Sequence, residues 1–109
     1  MKRKTQTFFI CLFKSGKPVA KKVTGHVRTY SNVESGKQIT IGIYRDSGMW
    51  QCVEKSTGLR TGRTDYLTDA FHMFQDNKLI DSIHDSANGD MVNVTLAREE
   101  IKRAEENDI

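Results

Sequence analysis

The segment STGLRTGRTD, residues 56–65, contains residue types that often bind phosphate: two glycines, two arginines and three threonines. A nucleotide-binding P-loop needs four residues between its glycines, then lysine and serine or threonine, so that backbone amides surround the phosphates. Here three residues separate Gly58 from Gly62, and Arg63 stands where lysine is required. We therefore interpret the segment as a turn at Gly58 that is followed by an edge strand, which Gly62 weakens. We expect its arginines, and not its glycines, to carry any function.

No side chains in the sequence have the spacing of a known catalytic or metal centre. His72 and Asp76 lie four residues apart, close enough on a helix to reach one ion. Three further candidate ligands come after them: Asp81, His84 and Asp85. Their spacing matches no recognised metal motif. Cys11 and Cys52 lie in strand-like runs, where a buried thiol is inert, and they lack Cys-x-x-Cys spacing. We therefore expect a protein that is not an enzyme and that uses no metal or cofactor.

Charge is distributed unevenly along the chain, although the formal net charge is only +3. Residues 1–63 carry 13 Lys and Arg against 3 Asp and Glu, whereas residues 64–109 carry 4 against 11. Such a split favours one basic face that attracts polyanions and one acidic face or tail. The alternative is that the two halves neutralise each other, within the fold or between two copies.

Basic side chains fall into groups that a folded sheet would display together. One strand carries polar residues on the parity opposite its valines, and we interpret this parity as solvent-facing: Lys22, His26, Arg28 and Tyr30. A second group surrounds the later turn: Lys55, Arg60 and Arg63. Lys2, Arg3 and Lys4 form a flexible basic start. Cations near phosphates release counterions, and an interleaved tyrosine can stack on a base. The alternative is an ordinary solvated sheet face.

The elements that position these side chains are strands first and helices later. Runs rich in β-branched and aromatic residues predict strands at residues 5–13, 19–30, 39–44, 49–55 and 59–63. Ile39, Ile41 and Ile43 mark an inward face, and we expect Gly42 and Tyr44 to point away from the core. Asp46-Ser47-Gly48 is typical of a hairpin turn. We expect Trp50 and Cys52 to lie inside.

The pattern of the second half of the chain is mainly helical and acidic. One helix is predicted by the apolar repeat Leu67, Ala70, Phe71 and Phe74. We expect Thr64 or Asp65 to cap this helix and residues 76–77 to end it. Residues 78–90 give no clear pattern. We expect a brief strand at 91–94, and a final helix capped by Thr95 that runs to about residue 107. The prediction is one α+β domain over residues 1–109, with an antiparallel sheet of four to five strands packed on one helix and a charged C-terminal helix.

Residues 44–74 combine three features in order. A tight turn at Gly48 precedes the strand residue Trp50, a second turn places Arg60 after Gly58, and a helix then includes Thr68-Asp69-Ala70. This run resembles the three-stranded-sheet-plus-helix DNA-binding domains of phage and transposon integrases, which are similar to the plant AP2 type. The resemblance implies that the outer sheet face enters a DNA major groove. The contact residues it implies are Gln51, Lys55, Arg60 and Arg63. The chain departs from the pattern because two strands precede the unit and Asp69 replaces a basic residue.

The leading hypothesis is a small non-enzymatic nucleic-acid-binding accessory protein of a phage or mobile element, which binds DNA or RNA through a basic sheet face. The alternative is a protein-binding inhibitor of a host enzyme or defence complex, similar to an anti-CRISPR protein. Its binding surface would consist of Asp65, Asp69, Asp76, Asp81, Asp85, Glu99, Glu100, Glu105 and Glu106. Self-association through the thin apolar face of the final helix is a third expectation.

The apolar run at residues 8–13 comes after three basic residues, as in a signal peptide. It is too short for one, and Lys14 succeeds it instead of a small-residue cleavage site. No stretch approaches the length needed to cross a bilayer. We therefore expect a cytoplasmic protein that has no membrane partner.

Overall fold

The computed structural model describes residues 4–108, so the expected basic residues Lys2 and Arg3 lie outside the described residues. Five strands come first: β1 (Gln6–Lys14), β2 (Lys17–Ser31), β3 (Gln38–Asp46), β4 (Met49–Glu54) and β5 (Leu59–Thr64). Three helices come after them: α1 (Leu67–Met73), α2 (Asn77–Ala87) and α3 (Val92–Glu106). The strands form one antiparallel sheet in the order β1-β2-β3-β4-β5. The predicted α+β fold, an antiparallel sheet with a charged C-terminal helix, is confirmed.

Strand β2 changes its partner at Gly25. Residues 17–25 pair with β1, and residues 26–31 pair with β3. A Cβ atom on Gly25 would lie 2.0 Å from the carbonyl oxygen of Ile43, so only glycine fits where β2 presses against β3. The β1–β2 hairpin therefore crosses the sheet instead of extending it. The Cys11 N–H, on β1, donates to the carbonyl oxygen of Gly58, in the β4–β5 turn, at 2.9 Å.

The crossing hairpin gives the sheet a second covered side, which we call the hairpin side. Here Phe8 and Ile10 of β1 are buried with Tyr44 and Val53. A Cβ on Gly42 would lie 2.4 Å from the Phe8 ring, so this glycine makes room for Phe8. Gly42 and Tyr44 point away from the row of Ile39, Ile41 and Ile43 as expected, but they are not exposed, because β1 covers them.

The opposite side of β3 and β4, the helix side, carries the larger apolar core. Its strand residues are Ile39, Ile41, Ile43 and Cys52, as predicted from their alternation. Helices α1 and α2 cover them with Ala70, Phe74, Ile80 and Ile83. Trp50 is only partly buried and packs against the margin of this core.

Helix α3 packs on the outer side of the β1–β2 hairpin. Ala97 and Ile101 of α3 are buried with Cys11 of β1. Glu100 Oε2 accepts a hydrogen bond from the backbone N–H of Ala20 at 3.2 Å. Because that N–H lies on a strand edge, the carboxylate satisfies a donor that is otherwise open to pairing with another chain.

The helix boundaries differ from the prediction in three places. Asp76 ends no helix; its carboxylate instead accepts hydrogen bonds from the first turn of α2, a helix that is absent from the prediction. Neither Thr64 nor Asp65 caps α1, because Tyr66 is the N-cap residue and the Thr64 hydroxyl donates to its carbonyl oxygen. Residues 92–94 are helical and not a strand, so Thr95 lies inside α3.

The Gly25 contact predicts a large difference between two glycine substitutions. We expect Gly25→Ala to lower the free energy of unfolding by about 3 kcal/mol, because the added methyl group meets rigid backbone. Gly89→Ala is the matched control, since its Cβ would meet its nearest atoms at 3.4 Å. We expect the control to change stability by less than about 0.5 kcal/mol. Urea unfolding followed by Trp50 fluorescence measures both, and equal effects would show that Gly25 is not needed at the crossing.

Candidate nucleic-acid interface

The segment of residues 56–65 forms the β4–β5 turn and the edge strand, as predicted. Gly58 has φ +68°, and a Cβ there would lie 2.6 Å from the Cys11 nitrogen. A Cβ on Gly62 would lie 2.8 Å from the sulfur of Met73 in α1. Both glycines therefore allow close packing. Arg60 and Arg63 are exposed, one between the two glycines and one after them.

Three residues of the predicted polar stripe of β2 lie on the helix side and contact α1: His26, Arg28 and Tyr30. His26 is only 7% exposed, and its ring centroid lies 5.9 Å from that of Trp50 and 5.6 Å from that of Phe71. The Tyr30 hydroxyl donates to the carbonyl oxygen of Phe71 at 2.8 Å. The Arg28 guanidinium lies 4.6 Å from the centre of the same Phe71 ring. These contacts join β2 to α1 through one phenylalanine.

The expectation that Lys22, His26, Arg28 and Tyr30 form a solvent-facing row is therefore wrong for His26, which is buried, and for Tyr30, which is partly buried. Lys22 and Arg28 are exposed, but Lys22 pairs with Asp108 and Arg28 covers Phe71. Alternation separates the two sides of a strand without saying which side is covered. In this fold both sides of β2 are covered in part. Helices cover one side, and the cluster that contains Phe8, Ile10, Tyr44 and Val53 covers the other.

The second predicted group lies around β4 and β5 and divides into buried and exposed residues. Gln51 lies directly opposite Tyr44 on one neighbouring strand and opposite Arg63 on the other. Gln51 is only 6% exposed, so the groove contact that the resemblance implies for it conflicts with its burial. Lys55 Nζ lies 3.3 Å from Glu105 Oε2. Of this group, Arg60 and Arg63 are the exposed residues for which the described chain shows no ion pair.

Three lysines of the β1–β2 hairpin are likewise exposed and form no ion pair in the described part of the chain. Together with the two arginines they form a set that we call the hairpin–β5 cations: Lys14, Lys17, Lys21, Arg60 and Arg63. All are exposed, and none forms an ion pair within residues 4–108. Lys21 lies opposite Ile10 and Arg60 lies opposite Val53. Because Ile10 and Val53 are packed in one cluster, the hairpin and β5 place their cations around the same apolar centre.

Several of the acidic residues predicted as a protein-binding surface bind groups within the fold. Asp81 accepts hydrogen bonds from Asn32 at 3.0 Å and from Ser35 at 2.7 Å. Asp85 pairs with Lys37 at 2.9 Å, and the two acids thereby tie the β2–β3 loop to α2. The bond from Ser35 lowers the pKa of Asp81, and the bond from Lys37 lowers the pKa of Asp85.

The later acids also contact the strands. Glu105 pairs with Lys55, and Glu100 bonds Arg103 as well as the Ala20 N–H. Asp65, Asp69, Glu99 and Glu106 form no ion pair in the part of the chain that is described. The interpretation that the two charged halves neutralise each other within the fold is thus confirmed for three pairs: Lys22–Asp108, Lys37–Asp85 and Lys55–Glu105.

Neither cysteine lies in a setting that activates a thiol. Cys11 and Cys52 are both buried and unpaired with each other. Burial raises the pKa of Cys52 to about 11 and also raises the pKa of Cys11. Residues 4–108 contain no group of three His, Cys, Asp or Glu placed to hold a metal ion. No helix among those residues is both long enough and apolar enough to span a membrane.

Comparisons of the chain with protein-family models, with curated proteins and with solved structures each found no match. The likeness of residues 44–74 to AP2-type and integrase domains therefore stays a prediction. One structural difference bears on it. The sheet side opposite the helices, which that likeness assigns to the DNA groove, is covered at its centre by the β1–β2 hairpin.

Gln51 provides a test of how this side of the sheet is packed. Its Oε1 atom is buried and has no hydrogen-bond partner among the described residues. An unsatisfied buried acceptor costs free energy, so we expect Gln51→Met to raise the free energy of unfolding by about 1 kcal/mol. Gln75→Met, at an exposed position, is the control and should have little effect. A destabilised Gln51→Met protein would mean that the amide has a partner, such as a bound water.

The hydrogen bonds and ion pair that tie the β2–β3 loop to α2 predict a specific response to acid. The lowered pKa values of Asp81 and Asp85 stabilise the fold above their unfolded values near ~3.9, and this contribution is lost as the pH falls through the lower folded values. We expect Asp81→Asn/Asp85→Asn to be less stable at pH 6 and to lose less stability between pH 6 and 3. Asp65→Asn should instead match the wild-type curve. Parallel curves for the double variant and wild type, from urea unfolding at each pH, would contradict this role of the two acids.

Proposed function

We propose that the protein is a small non-enzymatic nucleic-acid-binding protein that contacts phosphates with the hairpin–β5 cations. One observation carries the proposal. Five exposed cations on the hairpin and the edge strand have no carboxylate partner in the described chain, whereas Lys22, Lys37 and Lys55 each have one. Cations that are not neutralised within the fold keep their full attraction for a polyanion.

The arrangement suits contact with a phosphate backbone. The β1–β2 hairpin has lysines on both sides of its turn, at Lys14 and Lys17, and β5 adds two arginines along a sheet edge. Arginine can bind phosphate through two parallel hydrogen bonds, and lysine supplies a mobile point charge. Each phosphate contact releases counterions, so affinity should depend steeply on salt and little on sequence.

The resemblance to integrase-type domains favours the same functional class, and with it a role as an accessory protein of a phage or mobile element. In this proposal the contacts come from the edge of the sheet, because Val53 and Gln51 at its centre are buried. The alternative, a protein-binding inhibitor with an acidic surface, has less support because Asp76, Asp81 and Asp85 already bind groups within the chain.

Two double variants with the same change in charge test the proposal. We expect Arg60→Ala/Arg63→Ala to weaken binding to a labelled 20-nucleotide DNA or RNA at least about tenfold in low salt. Loss of two contacts should also reduce the slope of log affinity against log salt by roughly 1.4 to 1.8. Lys22→Ala/Lys55→Ala should weaken binding less than about threefold, because these lysines already pair with Asp108 and Glu105.

Fluorescence anisotropy across a salt series measures both variants beside the wild type. If the wild-type protein does not bind either nucleic acid in low salt, the proposal fails. Equal losses from the two double variants would show that net charge, and not this surface, accounts for binding.

A further inference from the structure

A cavity of about 280 Å³ lies between the β4–β5 turn and helices α2 and α3. Arg60, one of the hairpin–β5 cations, lines it. Part of the wall is aliphatic, formed by Leu59, Ile83 and Val94. Ser82 and Ser86 of α2 add hydroxyl groups. An aliphatic wall with a few polar groups is typical of a small-ligand site.

The cavity's size and polar groups fit one nucleobase. Pockets for drug-sized ligands start near ~300 Å³, so this space suits a group no larger than about one base and cannot hold a duplex. The hydroxyls of Ser82 and Ser86 form no hydrogen bond within the described residues. A serine hydroxyl both donates and accepts, so it can pair with the edge of any base.

Cations lie on the strand that borders this space. Arg60 belongs to the cavity lining through β5, but it lies opposite Val53 and so faces the hairpin side, as does Arg63 opposite Gln51. Glu54 also lines the cavity, but its two oxygens accept hydrogen bonds from Ser56 and Thr57 and so hold the β4–β5 turn. Gly58 of that turn accepts a hydrogen bond from β1, which brings the basic hairpin to the same end of the sheet.

We infer that the protein binds single-stranded nucleic acid and places one unpaired base in this cavity, with the neighbouring phosphates of the strand on the hairpin–β5 cations. The inference rests on the proposed function and narrows its ligand class. A base paired within a duplex cannot enter, because its edge and both faces are already in contact. Electrostatic attraction alone favours the duplex, whose charge density is higher. A preference for the single strand that depends on the cavity residues is therefore the expected result.

The test compares a 20-nucleotide DNA strand with the 20-base-pair duplex of the same sequence, at one low salt concentration. We expect the wild-type protein to bind the single strand several-fold more tightly. Ser86→Phe fills the cavity from an exposed position on α2 and should weaken single-strand binding several-fold, because the base loses its place against Leu59, Ile83 and Val94. Duplex affinity should change less than about twofold. Thr68→Phe, exposed on α1 and outside this cavity, is the matched control.

A second measurement uses an oligonucleotide that contains 2-aminopurine, which fluoresces more strongly when it leaves the base stack. We expect an increase on binding to wild type and to Thr68→Phe, and none with Ser86→Phe. Ser82→Phe, in the same wall, repeats the test if Ser86→Phe does not fold by circular dichroism. Binding of strand and duplex with equal affinity, unaffected by either phenylalanine, would overturn this inference and leave the proposed function standing. No binding to either would remove both.

Discussion

The change of partner strand at Gly25 is the constraint on which the rest of the structure depends. Before this residue β2 pairs with β1, and after it with β3, because the glycine backbone lies against the Ile43 carbonyl where no side chain fits. The hairpin consequently folds over the sheet. That crossing buries Phe8 and aligns Cys11 with the carbonyl of Gly58. The sheet therefore has two covered sides, and the hairpin–β5 cations lie at its edge and on the hairpin.

The distribution of charge depends on this geometry. Asp85 of α2, Glu105 of α3 and Asp108 reach lysines of the strands and their loops, so part of the asymmetry along the sequence is neutralised within the fold. The exposed cations that remain unpaired in the described chain include Arg60 and Arg63 of β5. These two arginines could be identified from the sequence, because a glycine turn leading into an edge strand exposes the side chains of that strand. The burial of the β2 residues could not be predicted from the sequence, because alternation does not show that α1 lies over their side of the strand.

The order of the five strands and the inward row from Ile39 to Ile43 could be predicted, since β-rich runs and local alternation of apolar residues mark them. Helix α2 is absent from the prediction although its signals are local: Ile80, Ile83 and Ala87 recur at helical spacing, and Asp76 is a typical N-cap residue. The second core has a different cause, because burial of Tyr44 depends on a hairpin that is distant in sequence. There a long-range contact decides which side of a local pattern is covered.

Chemical-shift mapping of the labelled protein with a single-stranded oligonucleotide at low salt tests the central claim most directly. The account predicts that the largest amide shifts fall at residues 14–21 and 59–64, and that they diminish together as salt is added. Shifts confined to the acidic parts of α1 and α3, or spread evenly over the surface, would contradict it.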